Sequence, residues 1–430
     1  MPKPGDRVQI ITADETITGT FMPDPAKDFV VVKLSTGYNL GVHTSRVKEV
    51  KVLQQYVPVE QKPLREQQTV GLHKISILHT GGTIASKVDY ETGGAFAHFN
   101  PEDLLNMFPE LKTMAVITSR LVRRMWSEDI RFAHYNILAR EIATEVKNGA
   151  HAIIIAHGTD TLHYTAAALA FMIQHPPVPI ILVGAQRSSD RGGSDAAWNL
   201  LSAVTFVTNT NFSEVGICMH ENMSDECCVI LPGTKTRKMH SSRRDAFKAI
   251  NTTAWARVHP KTRKIEFLRT DYHCRHERKD IAPKFMKENI KVGILKTHTN
   301  MWKEQFLLYK GWDGLVLEGG GIAGNPPINE IDEFTKEHTA IYDAIKELVK
   351  TGTVVVAATQ TIYGGLNMNV YTTGKRMQEA GILGNYTDMT AETAFLKLAW
   401  LLSNYPKDEV PELFCMNLVG EISPRLEKTE

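Results

Sequence analysis

HAIIIAHGTDTLHYTAAALAFMIQH (His151–His175) decides the fold. Ala152–Ala156 is apolar at every position instead of alternating, so a strand here must be covered on both faces. A glycine turn follows, His157-Gly158-Thr159-Asp160-Thr161, and then an apolar stretch of helical length. A doubly covered strand feeding a helix through a short turn is half of a βαβ unit, which implies a parallel sheet. The succession recurs on either side. Upstream stands KISILHT with Gly81-Gly82; downstream stand PIILVGA, a loop and SDAAWNLLSAVTFV. VGICM and CCVIL add further strands. The stretch Lys235–Asn289 is charged and is expected to be irregular. A second α/β cycle starts at KVGILKTH (Lys291 onward). It continues through GWDGLVLEGGG, a helix near Thr339–Thr351, TVVVAATQT and a last helix in TAETAFLKLAWLLSN. The tail EISPRLEKTE, from Glu421, is expected to fray.

The first residues have a different texture. GDRVQII, ETITGTFMP, FVVVKLS, YNLGVH and VKEVKVL are short β-branched runs separated by turn signals at Ala13-Asp14, Pro23-Asp24-Pro25 and Ser35-Thr36-Gly37. Such spacing predicts a small antiparallel β-barrel. The polar, proline-punctuated PVEQKPLREQQTVGL reads as a linker. The expected organisation is a barrel over 1–57, a linker over 58–72, and two α/β domains over 73–290 and 291–430.

Composition narrows the function classes. The chain has 430 residues, 49 Lys+Arg against 48 Asp+Glu, and a net charge of +1. No global field selects nucleic acid or an anionic membrane. Five cysteines give no disulfide framework, which favours a reducing compartment. The beginning lacks the apolar core of a signal peptide, and no apolar run reaches the roughly 18 residues of a membrane span. A cytoplasmic protein is expected.

Two threonine-rich glycine turns, each directly after a buried strand, are the first candidate site: His79-Thr80-Gly81-Gly82-Thr83 and His157-Gly158-Thr159-Asp160-Thr161. Functional groups gather outside the carboxyl ends of parallel strands. Glycine there exposes backbone N–H groups that can hold an oxyanion. The structural alternative is helix capping, for which Thr and Asp are favoured. Neither turn has the GKS/GKT of a phosphate loop or the GxGxxG spacing. Cys227-Cys228 lacks CxxC spacing, and His273-Cys274-x-His276 lacks a second ligand pair, so no metal is expected.

TGGTIAS (Thr80–Ser86) and HGTDTLHYTA (His157–Ala166) resemble, in order and each after its strand, the two signatures of the bacterial-type L-asparaginase family. MWSEDI, LVGAQRSSDRGGSDAAWNL, GLVLEGGG, ATQTIYGGLNMNVYTTG and DMTAETAFLKLAWLL extend the likeness from about Lys74 to Asn404. The resemblance implies an α/β, asparaginase-like body of two domains. An asparaginase-like body behind a small barrel, with GYNLGVH inside it, is similar to the branch serving archaeal glutamyl-tRNA(Gln) amidotransferases as glutaminase.

By motif position, the resemblance implies Thr83 as primary nucleophile, Thr159 as second catalytic threonine and Asp160 as anchor of the substrate α-ammonium. Lys238, in TRKMHSSRRDAF, takes the place of the family's lysine base. A threonine hydroxyl needs such a base to become nucleophilic. Its structural alternative is a surface lysine among Lys235, Arg237, Arg243 and Arg244, the last two expected to be solvated or partner-facing. Ser127 matches the serine that binds the α-carboxylate, with a helix cap before EDIRFAHYNILAREI as its structural role. Glu128 stands where many relatives have glutamine; as a substrate-binding candidate its carboxylate either reinforces binding of the α-ammonium or disfavours the α-carboxylate. Tyr90 is the tyrosine of the loop SKVDYETGGAFAHF after the first signature. Ile322 stands about where some relatives place an asparagine reaching from a neighbouring subunit.

The branch implies hydrolysis of L-glutamine and delivery of ammonia to the amidotransferase's E subunit, which converts Glu-tRNA(Gln) to Gln-tRNA(Gln). It implies a homodimer inside a two-plus-two heterotetramer of the ligase class, with tRNA(Gln) held through the complex. ATP and Mg belong to the partner, and no cofactor is expected in this chain. The alternatives are a free-standing L-asparaginase with an extra domain, and a non-catalytic RNA- or protein-binding scaffold.

Overall fold

The computed structural model describes residues 2–22, 28–34, 39–56, 71–82, 109–187, 194–277 and 280–425 in full. It also describes the backbone of 86–88 and 95–97. Five strands, β1 (Arg7–Ile11), β2 (Thr16–Met22), β3 (Phe29–Lys33), β4 (Asn39–His43) and β5 (Glu49–Gln54), form an antiparallel sheet in the order β4-β3-β2-β1-β5. Alternation sends Val8, Ile10, Ile17, Val32 and Val42 to one buried face. Among the described residues no β4–β5 pairing closes this sheet into a barrel. The turn signals at 23–25 and 35–37 and most of the expected linker lie outside the described residues.

The large sheet begins with β6 (Lys74–Gly81). A short antiparallel pair follows, β7 (Ser86–Val88) with β8 (Ala95–Ala97), and then β9 (Val116–Met125), α1 (Phe132–Lys147), β10 (Ala152–Ala156), α2 (Leu162–Met172), β11 (Ile180–Val183), α3 (Ala196–Asn209), β12 (Val215–His220) and β13 (Cys228–Pro232). The stretch expected to be irregular contains four more strands: β14 (Thr236–Lys238), β15 (Phe247–Ala249), β16 (Ala256–His259) and β17 (Lys264–Phe267). β14 and β15 form a hairpin, while β16 and β17 join the large sheet, ordered β17-β16-β13-β12-β11-β10-β6-β9. Charge hides these two strands from a search for apolar runs, because they lie towards the sheet edge, where one face need not be apolar. From β9 to β12 the pairing is parallel, and beyond β12 it is antiparallel.

The last unit comprises β18 (Val292–Lys296), α4 (Lys303–Leu307), β19 (Gly314–Gly319), α5 (Glu337–Lys350), β20 (Val354–Thr359), α6 (Thr372–Glu379), α7 (Ala391–Asn404) and α8 (Val410–Cys415). Its three strands are parallel, in the order β18-β19-β20. Helix α2 is almost wholly buried and packs on α7, with Phe171 stacked on Trp400 at 5.9 Å. One continuous apolar core therefore includes α2, the large sheet, α7 and residues of the last sheet such as Val316 and Val356.

The tail does not fray at Glu421. That residue is fully buried, 2.6 Å from Lys397 Nζ, and its carboxylate accepts the N–H groups of Leu418 and Val419. Such a buried pair persists only when both charges find partners.

Candidate active site

Adjacent parallel strands bring the two threonine turns together. In the β6–β10 register Ala156 faces His79, so both strands end at one level and their turns open side by side. The approach is close enough to demand glycine. A Cβ on Gly82, whose φ is +77°, would stand 2.3 Å from Gly158 Cα. A Cβ on Gly158 would stand 2.8 Å from Ser127 Cβ. Thr161 Oγ1 donates to the Ser127 carbonyl at 2.6 Å, which draws the chain after β9 into the same corner.

Thr159 and Asp160 are not spent as helix caps. Thr161 is the cap residue of α2, and no side chain caps that end. Lys238 Nζ instead donates to Thr159 Oγ1 at 2.9 Å and to Asp160 Oδ1 at 2.7 Å. The Lys238 side chain is only 10% exposed, so it is no surface lysine, whereas Asp160 is largely open to solvent. A hydroxyl within hydrogen-bond reach of an amine can pass it a proton once the amine is neutral. The exposed carboxylate beside them can receive a cation.

The last α/β unit holds the lysine in place. Immediately before Lys238, Arg237 pairs with Glu392 at 3.1 Å, and Lys235 pairs with Asp388 at 2.5 Å. Thr393 Oγ1 donates to the Thr234 carbonyl at 2.8 Å. These anchors come from the start of α7 and the loop before it. The hairpin therefore stands on one unit and reaches the turn of the other. Behind the turn, burial pushes His157 down to about 4, and its neutral ring contacts Thr165 Oγ1 and the Gly158 carbonyl.

Ser127 is buried in this corner, but it does not cap the helix after it. A single 3₁₀ turn covers Ser127–Asp129, and α1 starts at Phe132 behind Arg131. Glu128 is in the same turn and exposed. Thr83 and Tyr90 lie outside the described residues; Gly82, which packs on Gly158, directly precedes Thr83. Ile322 is exposed on the loop after β19. Arg243 pairs with Asp245 and remains half-exposed, but Arg244 is not solvated: its side chain is 14% exposed and bonds Asp225 at 2.7 Å. His273 Nδ1 contacts Glu214, and among the described residues no three metal-ligating side chains converge. No helix among them is long and apolar enough to cross a membrane. Sequence reasoning misses Gly184, whose missing Cβ makes room for the Thr159 methyl, and the acidic anchors Asp388 and Glu392. The glycine directly after the β11 run is the available signal for the first.

Family models for the asparaginase N-terminal domain and the glutaminase/asparaginase C-terminal domain match residues 74–272 and 291–414. The chain belongs to the asparaginase/glutaminase family. A model of the GatD N-terminal domain matches residues 2–53. The D subunit of glutamyl-tRNA(Gln) amidotransferase from Methanococcus maripaludis is 38% identical, over 97% of this chain and 98% of that protein. The D subunit from Pyrococcus furiosus is 39% identical over 98% and 95%. Within the family, the chain belongs with these D subunits. The thermostable L-asparaginase of Thermococcus kodakarensis, 29% identical, superposes with a TM-score of 0.69 over 82% of this chain and all of its own.

Proposed function

We propose that this chain is the glutaminase subunit of a tRNA-dependent amidotransferase. It hydrolyses L-glutamine and yields ammonia to a partner subunit that converts Glu-tRNA(Gln) to Gln-tRNA(Gln). The observation that carries the reading is the Lys238–Thr159–Asp160 triangle, a hydroxyl, an amine and an open carboxylate at the carboxyl end of β10. Similarity over nearly the full length to proteins named as amidotransferase D subunits supports the tRNA-linked role over that of a free-standing asparaginase.

In this reading Asp160 binds the substrate α-ammonium through a charge-assisted hydrogen bond, and Ser127, with Glu128 beside it, faces the rest of the amino-acid head. Lys238 takes the threonine proton as the hydroxyl oxygen attacks the side-chain amide carbon. The C–N bond breaks, the proton passes to the leaving nitrogen, and ammonia departs. Water then cleaves the acyl-threonine ester to glutamate. By family likeness Thr83 is the first nucleophile, with Thr159–Lys238 as the second candidate or the proton-handling arm. Tyr90 is the loop residue that would approach Thr83. ATP and Mg belong to the E subunit, in a two-plus-two assembly.

The test is a glutaminase assay of the chain with its copurified partner, with and without Glu-tRNA. Thr83→Ala, Thr159→Ala and Lys238→Ala should each abolish glutamine-driven Gln-tRNA formation, and added ammonium should restore it. Full glutamine-driven activity in any two of them sinks the assignment. Rapid, tRNA-independent asparagine hydrolysis by the isolated chain would favour a free-standing asparaginase.

A further inference from the structure

A chain of polar groups, buried at Asn199 and His220 and partly exposed at Asp225, runs behind the candidate site and joins its two halves. It starts at Gly184, where only the absence of a side chain admits the Thr159 methyl: a Cβ there would lie 2.9 Å from Thr159 Cγ2. The Gly184 carbonyl accepts Asn199 Nδ2 from α3 at 3.0 Å. The same nitrogen is 3.2 Å from Asp195 Oδ2, and these two bonds fix which way the amide faces. Asn199 Oδ1 therefore points to His220, at the end of β12, and lies 2.6 Å from Nδ1. His220 Nε2 looks the other way, to Asp225 Oδ1 at 3.4 Å. Asp225 in turn accepts Arg244 Nη1 at 2.7 Å. Arg244 is in the connection between β14 and β15, six residues after Lys238.

We propose that His220 is a positioning residue for the Thr159–Lys238 pair, a two-armed clamp between Asn199, behind the Thr159 turn, and Asp225–Arg244, on the segment that carries Lys238. The inference deepens the glutaminase reading and rests on it.

Both ring nitrogens face acceptors, an amide oxygen on one side and a carboxylate on the other. Each arm needs its own N–H, so the clamp is complete only when the ring is an imidazolium. His220 is fully buried, and burial opposes that charge. The Cys228 sulfur, Asp195 and Asp225 overcome it and raise the group above its ordinary value. The charged or titratable groups around the ring are Asp195 before α3, Cys228 on β13, and Asp225 with Arg244 outside. Cys228 Sγ reaches the same Asn199 oxygen at 3.4 Å, and Cys218 Sγ donates to the Asn199 carbonyl at 3.3 Å. The sign follows: a raised group keeps its charge below its folded value and loses it as pH rises through that value. The clamp therefore weakens as pH rises through a value above the ordinary 6.5 of a histidine.

The experiment compares the wild-type complex with His220→Gln, Asp225→Asn and Arg244→Ala in glutamine hydrolysis across pH, together with the crystal structure of His220→Gln. Expected are a 10- to 100-fold loss of kcat in His220→Gln with KM changed less than about threefold, and smaller losses in the outer two variants. The wild type should show a falling alkaline limb that His220→Gln lacks. In the variant crystal, Lys238 Nζ should move beyond hydrogen-bond reach of Thr159 Oγ1. A kcat within twofold, or an unchanged limb, or an unmoved lysine overturns the clamp. Should His220→Gln fail to fold, the two outer variants decide the same question through their alkaline limb. A wild-type complex inert to both glutamine and asparagine would overturn the glutaminase reading, while the lysine position in the variant crystal still decides the clamp.

Discussion

Lys235 Nζ lies 2.5 Å from Asp388 Oδ2, and each of the two side chains is 5% exposed. The pair links the segment leading to Lys238 with the loop before α7. Asp388 uses its other oxygen to accept the Ser423 N–H at 2.9 Å, so one carboxylate ties three parts of the chain. Removing one member of a buried pair leaves the other charge without compensation, which costs about 3–5 kcal/mol. Asp388→Asn should lower the midpoint of chemical denaturation accordingly. A loss under about 1 kcal/mol would show that the pair is replaceable.

Lys238 is expected to act as a base, and charge alone should not replace it. A guanidinium stays protonated at any working pH. Lys238→Arg should therefore be about as inactive as Lys238→Ala on glutamine, each down by about 10²–10⁴ in kcat. Ammonium-driven Gln-tRNA formation should stay within twofold. Steady-state kinetics with the two nitrogen donors separates these outcomes.

Gly82 allows no side chain. Its φ is positive and the Cβ position is occupied by Gly158 backbone, which has no flexible atom to yield. Gly82→Ala should destabilise by more than about 1 kcal/mol and raise KM as well as lower kcat. A melting temperature and KM equal to wild type would mean that the two turns part more easily than their packing implies.

Acid should weaken the fold through three buried histidines. Burial pushes His157 and His163 down to about 4 and His79 down to about 3, against an ordinary value of 6.5. Between those values the unfolded chain binds protons that the folded chain refuses, so stability falls as pH drops below 6.5; the shares of His157 and His163 level off near 4 and that of His79 near 3. The share from His157 alone is roughly 3 kcal/mol. Urea midpoints at pH 7, 5.5 and 4 should decline in step, and His157→Gln should flatten the slope.

Much of this arrangement is legible in the sequence. Ala152–Ala156 and its companions announce a doubly covered parallel sheet because apolar residues occupy both faces of these short runs. Thr159, Asp160 and Lys238 stand out by motif position, and their side chains meet. Other features are hidden for physical reasons. β16 and β17 carry charge on exposed faces, which masks their periodicity. Glu421 reads as tail because its partner Lys397 is on another element and no local pattern records a long-range ion pair. The His220 network consists of residues that, taken singly, read as ordinary core or surface positions. Ser127 precedes a helix in sequence, yet one 3₁₀ turn intervenes, and a difference of a few residues at a helix start lies below what residue preference resolves.

Helix α2 has no wet side. A segment of this kind, dictated by LHYTAAALAFM, is insoluble baggage for either α/β unit alone. Reshuffling of gene segments could hardly exchange one unit without inheriting the complementary surface of the other. The two halves are therefore bound to diversify as a couple, whereas the small sheet at the front, with its own separate core, is the module free to be gained or lost.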